Sequence, residues 1–201
     1  MRFFVAATFF AFCGQVFSQD ALPSSVPKGM SSCNELAKQS NGTNSVVPVG
    51  KPKPIQFTDY PTRPVAPQRP HAAEISKYDV TEKNRFSQAA LAVVSEGPDF
   101  AGRYAIVTWG CGWWCSNVLI ADVVTGRVYE APFAAVMGFT QITDGELIQR
   151  RADSSLLVVC GCLEMRDAQQ SGAGPCGTFH FIWSANRLRL IGCEIKSQKP
   201  L

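Results

Sequence analysis

Thr108 to Asn117 reads TWGCGWWCSN. Cys111 and Cys115 could serve as a dithiol redox pair, as half of a thiolate metal site, or as a disulfide that closes a loop and holds aromatic rings outward. A thioredoxin-like pair has two intervening residues and opens a helix after a strand, whereas three residues separate these cysteines and strand-like sequence flanks both. A four-thiolate zinc site would have to recruit Cys160 and Cys162 from the CGC tripeptide, a spacing of no common zinc module. The stapled loop fits best. Neighbouring residues on extended chain alternate faces, so one of Trp113 and Trp114 packs on the sheet while the other is offered to a ligand, with Trp109 just before the loop.

Catalysis near neutral pH needs a suitable base, and the two histidines are His71, in proline-rich chain, and His180, within TFHFIW. Alternation sets His180 opposite Phe179 and Phe181, either exposed on one sheet face or satisfied within a core. The sequence contains no nucleophile elbow, HExxH, phosphate-binding glycine loop or EF-hand loop. Glu130, Asp144, Glu146 and Asp153 fall at turns or strand ends and read as solvated surface. A Cys-His pair built on His180 would rest on no motif.

The compartment follows from the amino terminus. Arg2 forms a short basic region, Phe3 to Cys13 an apolar run, and Val16 and Ser18 occupy small-residue positions, which predicts a signal peptide at 1–18. A lipid-attachment reading centred on Cys13 meets Phe12 where a small residue is wanted. No later stretch approaches the roughly 18 apolar residues of a membrane helix, so the expected location is periplasmic or secreted, with no membrane span. Net charge is +3 over the whole chain and +2 without Arg2, and no basic run concentrates it, so nucleic acid is not an expected partner.

Without Cys13, seven cysteines remain: Cys33, Cys111, Cys115, Cys160, Cys162, Cys176 and Cys193. In an oxidising compartment they read as disulfide candidates, with the odd count leaving one unpaired within a monomer. Cys160 and Cys162 should face the same side of a strand; Cys162–Cys176 would close the loop LEMRDAQQSGAGP, and Cys160 could meet Cys193 if their strands are neighbours. No metal or other cofactor is expected.

These residues must be positioned by the elements around them. Residues 19–77 hold most of the thirteen prolines and read as an arm or linker, in which IQFTDY (Ile55 to Tyr60) could pair as an edge strand. Asn41-Gly42-Thr43 is a glycosylation sequon in a eukaryotic setting. A single disulfide-stabilised β domain is expected over 78–196, followed by a tail at 197–201. It opens with one amphipathic helix, in which Asp79 and Glu82 resemble a capping box, Phe86, Ala89, Ala90, Val93 and Val94 form the apolar face, and Gly97-Pro98 ends it. Short apolar runs between turn residues then predict a mainly β fold, an antiparallel meander of about seven strands. Turns are expected at Thr125-Gly126, Asp144-Gly145 and Ser184-Ala185-Asn186.

The stretch from Gly97 to Phe133 resembles a family of small exported bacterial proteins without an established activity, whose pattern is GPNFAGHY, then WGCG and a second cysteine, then D-x-x-TG. Matching residues are Gly97, Pro98, Phe100, Ala101, Gly102, Tyr104, Trp109, Gly110, Cys111, Gly112, Cys115, Asp122, Thr125 and Gly126. Fainter similarity runs from FTDYP at Phe57 through RADSSLLVV to IWSANRLRLI. Asp99, Arg103 and Trp113-Trp114 depart from the pattern, and a histidine-based chemistry at position 103 would be lost on arginine. Cys33, Cys160 and Cys193 are additions that suit a staple on the arm or the last strand.

The leading expectation is an exported non-catalytic binding module of inhibitor or immunity type. It would meet a protein or glycan in the envelope or outside the cell through Trp113, Trp114, Trp109, Arg103 and Tyr104. The alternatives are a thiol oxidoreductase or metal-binding protein using Cys111, Cys115, Cys160 and Cys162, and an envelope structural accessory without a discrete ligand site.

Overall fold

The structure, a computed structural model, describes residues 33–41, 54–65, 89–91, 93, 96–112, 115–138, 147–166 and 174–195. Seven strands form one antiparallel sheet: β1 (Tyr104–Gly112), β2 (Cys115–Asp122), β3 (Val128–Met137), β4 (Ile148–Gln149), β5 (Leu156–Met165), β6 (Cys176–Ser184) and β7 (Arg187–Ile195). The order is β1-β2-β3-β5-β6-β7, with the two-residue β4 beside β5 as a side branch of the meander.

The hairpins follow their turn chemistry. Gly126 has φ 74°, and its N–H donates to the Asp122 carbonyl in the β2–β3 turn. At the β6–β7 turn Ala185 (φ 51°) and Asn186 (φ 59°) are both left-handed, the geometry of a tight type I′ hairpin that matches strand twist. Strand β3 runs past Pro132, and its register with β2 and β5 slips around that residue, where a missing N–H breaks the ladder least. Strand β4 spans the two residues Ile148–Gln149. Arg150 turns aside to pair with Asp99, and the chain at 151–154 receives the amino-terminal segment instead of continuing the sheet.

The sheet is strongly curled. The rings of Tyr104 on β1 and Tyr129 on β3 both meet Trp183 on β6, at centroid separations of 4.8 and 5.4 Å. In a flat sheet β1 and β6 would lie roughly 19 Å apart, four strand spacings. The concave face holds the main core, with Ile106, Val118, Ile120, Phe133, Val136, Leu157, Val159, Phe179, Phe181 and Leu190. The convex face is covered in two patches. Ala105, Val107, Leu119 and Ala121 pack against Ala89, Ala90 and Val93, which are helical. This is the expected amphipathic helix, and it ends at Gly97, whose φ of 96° is the left-handed conformation of a helix C-terminus. Its expected start at Tyr78 lies outside the described residues.

The second convex patch overturns one expectation. Ile55, Phe57 and Tyr60 do not form an edge strand: residues Phe57–Asp59 make a 3-10 turn, and the three apolar side chains lie across Leu156, Val158 and Cys160. Strand β5 is therefore buried on both faces, which explains its unbroken apolar run. Helix α1 (Cys33–Asn41) also lies within the proline-rich segment, and its Leu36 and Ala37 enter the concave core. Packing thus reaches well before residue 78.

Disulfides Cys111–Cys115 and Cys162–Cys176 join the residues expected, and Cys33–Cys193 ties α1 to β7. The pairing of Cys160 with Cys193 does not occur, because β6 separates β5 from β7 and Cys193 is already bonded. Nor is a free thiol found among the described residues, Cys160 included. No described helix is long and apolar enough to cross a membrane.

Candidate functional site

The sequence pattern GPDFAGRY acts first as a joint. Asp99 Oδ1 accepts the Ile106 N–H at 2.9 Å, and its other oxygen takes the Arg150 guanidinium. Ala101 (φ 47°) and Gly102 (φ 75°) reverse the chain so that their N–H groups donate to Ser154 and Ala152 carbonyls, while the Gly102 carbonyl accepts the Val65 N–H. A β-carbon on Gly102 would sit 2.5 Å from the Arg63 carbonyl oxygen, so the close approach needs glycine. Buried Ser154 donates toward the Phe57 and Tyr60 carbonyls, and Thr62 N–H donates to Asp153. FTDYP, FAGRY and RADSS, far apart in sequence, are thus one hydrogen-bonded junction.

The hairpin tip does no such work. Cys111 and Cys115 close it where the β1–β2 register slips, with Gly110 opposite Ser116 and Gly112 opposite Cys115. Gly110 and Gly112 are exposed, and a β-carbon at either would meet no atom of the described residues within 4 Å. Gly112 has φ 138°, which favours glycine, but Gly110 lies outside the left-handed region. Neither packing nor backbone conformation demands glycine at position 110. Trp109 is half-buried against the helix-covered convex face, and Trp113 and Trp114 lie outside the described residues.

Arg103 and Tyr104 stand at the other end of β1, roughly 26 Å from Gly112 at the usual rise per residue. They line a cleft of about 480 Å³ between the β2–β3 and β6–β7 turns, with Asp122, Thr125, Arg127, Tyr129 and Asn186. Asp122 organises the turn. Its Oδ1 accepts Arg103 Nε at 2.8 Å and the N–H groups of Val124 and Thr125 at 2.9 and 3.3 Å, and Arg103 Nη2 lies 2.7 Å from Oδ2. The Asp-x-x-Thr-Gly pattern is therefore an aspartate-capped turn. Tyr104 Oη donates to Asn186 Oδ1 at 3.2 Å, and the Arg127 guanidinium lies 5.9 Å from the centre of the Tyr129 ring.

Burial by itself would raise the Asp122 carboxyl, but the hydrogen bonds from Arg103, Thr125 and Val124 outweigh it and hold the group below its ordinary value. The same pair raises Arg103. A carboxylate with a depressed folded-state pKa contributes stability above its unfolded pKa, and that stability disappears as pH falls through the folded value. Thermal unfolding followed downward from neutrality should therefore lose stability below about pH 4. Asp122→Asn should be less stable at neutral pH by about 1–2 kcal/mol, discounted for the partial exposure of Arg103, with a shallower acid limb. An acid limb identical to the wild type would remove Asp122 from this role.

The remaining chemical candidates are dispersed. His180 is half-buried on the convex face opposite Val158 and Gly192, and desolvation lowers its pKa, partly offset by a backbone hydrogen bond at Gly192 and by Glu194. His71, Asp144 and Glu146 lie outside the described residues. Glu130 and Asp153 are exposed and face Arg166 and Arg151. The CGC cysteines share the convex face in an unbroken register, as alternation requires, but Cys162 is bonded to Cys176 directly across the ladder, away from Cys111. Among the described residues no three His, Cys, Asp or Glu side chains gather as metal ligands would.

Sequence reasoning missed Arg127, Tyr129, Asn186 and Trp183. The first and third sit in the anticipated turns, and alternation places Tyr129 and Trp183 on a face, but only the curl brings them together. Compared with known protein families, curated proteins and solved structures, the chain has no match.

Proposed function

We propose that this is an exported, non-catalytic binding module that meets a protein or glycan through the hairpin tip closed by Cys111–Cys115. The observation that carries this reading is Gly110: exposed, with no described residue near the position of its absent side chain, and glycine without a packing or backbone reason among them. A bare, rigid backbone beside Trp113 and Trp114 suits close approach by a partner. Rigid aromatic rings give contact area at low entropic cost, as interface hot spots do. The three disulfides between described residues support an oxidising location.

The test is a Trp113→Ala/Trp114→Ala double variant, followed by thermal unfolding and by cross-linking in the exporting cell from a photoreactive residue at position 110, where the backbone accepts a side chain. Melting within about 2 °C of wild type, less than about 1 kcal/mol, with loss of the cross-linked species is expected. Global unfolding of the variant would make the tryptophans core residues, and an unchanged cross-link would move the contact elsewhere.

A further inference from the structure

We propose that the cleft between the β2–β3 and β6–β7 turns, at the end of the sheet remote from the hairpin tip, is a second binding site, and that it takes a carboxylate-bearing saccharide. The donor and acceptor inventory of the cleft is lopsided. Asp122 is its one carboxylate, and that group is buried and consumed by Arg103 and two backbone N–H groups. The Tyr104 hydroxyl hydrogen is directed to Asn186 Oδ1, which leaves the Asn186 amide hydrogens available.

Two guanidiniums complete the set. Arg103 uses Nε and Nη2 on Asp122, which fixes its plane, and Nη1 has no hydrogen bond among the described residues. Arg127 is exposed, rests near the Tyr129 ring, and has no carboxylate partner among the described residues. With Arg103 and Asp122 cancelling, the cleft carries one uncompensated positive charge and a surplus of donors. An anionic ligand rich in oxygen acceptors complements both.

The rings distinguish a sugar from a bare anion. Tyr104 and Tyr129 stand 6.1 Å apart at 74° to each other, both braced by Trp183, and form a corner in which the apolar face of a pyranose can lie on one ring and its edge against the other. A volume of about 480 Å³ suits one or two sugar units. Inorganic phosphate would use the guanidiniums alone. Asn186 is held in the left-handed conformation that a two-residue turn demands, so its side chain is presented without further ordering cost.

The experiment is calorimetric titration of the full exported chain with galacturonic acid oligomers, with the matched galactose oligomers, and with inorganic phosphate. Saturable binding of the acidic oligomers tighter than about 1 mM is expected, with galactose weaker by at least about tenfold. Arg127→Gln should weaken the acidic ligand by about tenfold or more with melting unchanged, and Asn186→Gly, which keeps the turn, should weaken it severalfold. The Trp113→Ala/Trp114→Ala variant should bind it as wild type does, which separates this site from the one at the hairpin tip. The proposal is overturned by no saturation, by equal binding of the neutral oligomers, by an unaffected Arg127→Gln variant, or by phosphate binding as tightly as the acidic sugar.

Discussion

Replacing Phe181 by alanine should lower the unfolding free energy by about 3–5 kcal/mol, the usual cost of emptying an aromatic site in a core. Phe181 is fully buried on the concave face, and its ring lies 5.4 Å from that of Phe133, which is also fully buried. The loss combines the transfer term for a large ring with the cavity left between β3 and β6, strands that are not neighbours and cannot close the gap by sliding along one ladder. A chain of this size shifts by about 2–4 °C per kcal/mol, so a fall of about 6–20 °C in melting temperature is expected. Phe181→Leu, which keeps most of the volume, should lose clearly less. A change below about 1 kcal/mol for the alanine variant would mean that the curled face is not a packed core.

Removing the Cys33–Cys193 bond should have a comparable effect by a different route. Its ends are 160 residues apart in sequence, and the chain-entropy model assigns a loop of that length about 5 kcal/mol. Cys111–Cys115 and Cys162–Cys176 already constrain the unfolded chain inside this loop, so about 2–4 kcal/mol is expected for Cys33→Ala/Cys193→Ala. The loss should be local as well as global. Helix α1 is nine residues long, too short to persist alone, and is anchored by the bond and by buried Leu36 and Ala37. Lys38, exposed in its last turn, offers trypsin a cleavage point. Cleavage after Lys38 should quicken in the variant, and in wild type treated with reductant, before the sheet unfolds. An unchanged cleavage rate would mean that the apolar contacts hold α1 without the bond.

Much of the fold was legible because it is local. The unbroken apolar run of Leu156–Met165 and the alternation in Cys176–Ser184 and Arg187–Ile195, together with turn residues at Gly126 and Asn186, mark the strands and their hairpins. Two of the disulfides join partners that sit near one another in sequence, across one hairpin tip and one loop. The misses share a cause. IQFTDY could have paired as an edge strand, yet Ile55, Phe57 and Tyr60 cover β5 because Ser154, Ser155 and Asp153 satisfy the backbone of residues 57–62 from nearly a hundred positions away. No local pattern encodes such a partnership.

What the sequence by itself determined is the mainly β architecture, the ends of its hairpins, the closing helix signal at Gly97-Pro98 and the staple at the hairpin tip, all set by chemistry within a few residues. Tertiary structure decided which residues share a site. A period of two assigns Tyr104, Tyr129 and Trp183 to a face but says nothing of curvature, and only the curl of the sheet brings β1, β3 and β6 within ring contact. The same curl carries Asn186 over Tyr104 and builds the cleft at the foot of β1, while the length of β1 holds the Cys111–Cys115 staple well away from it.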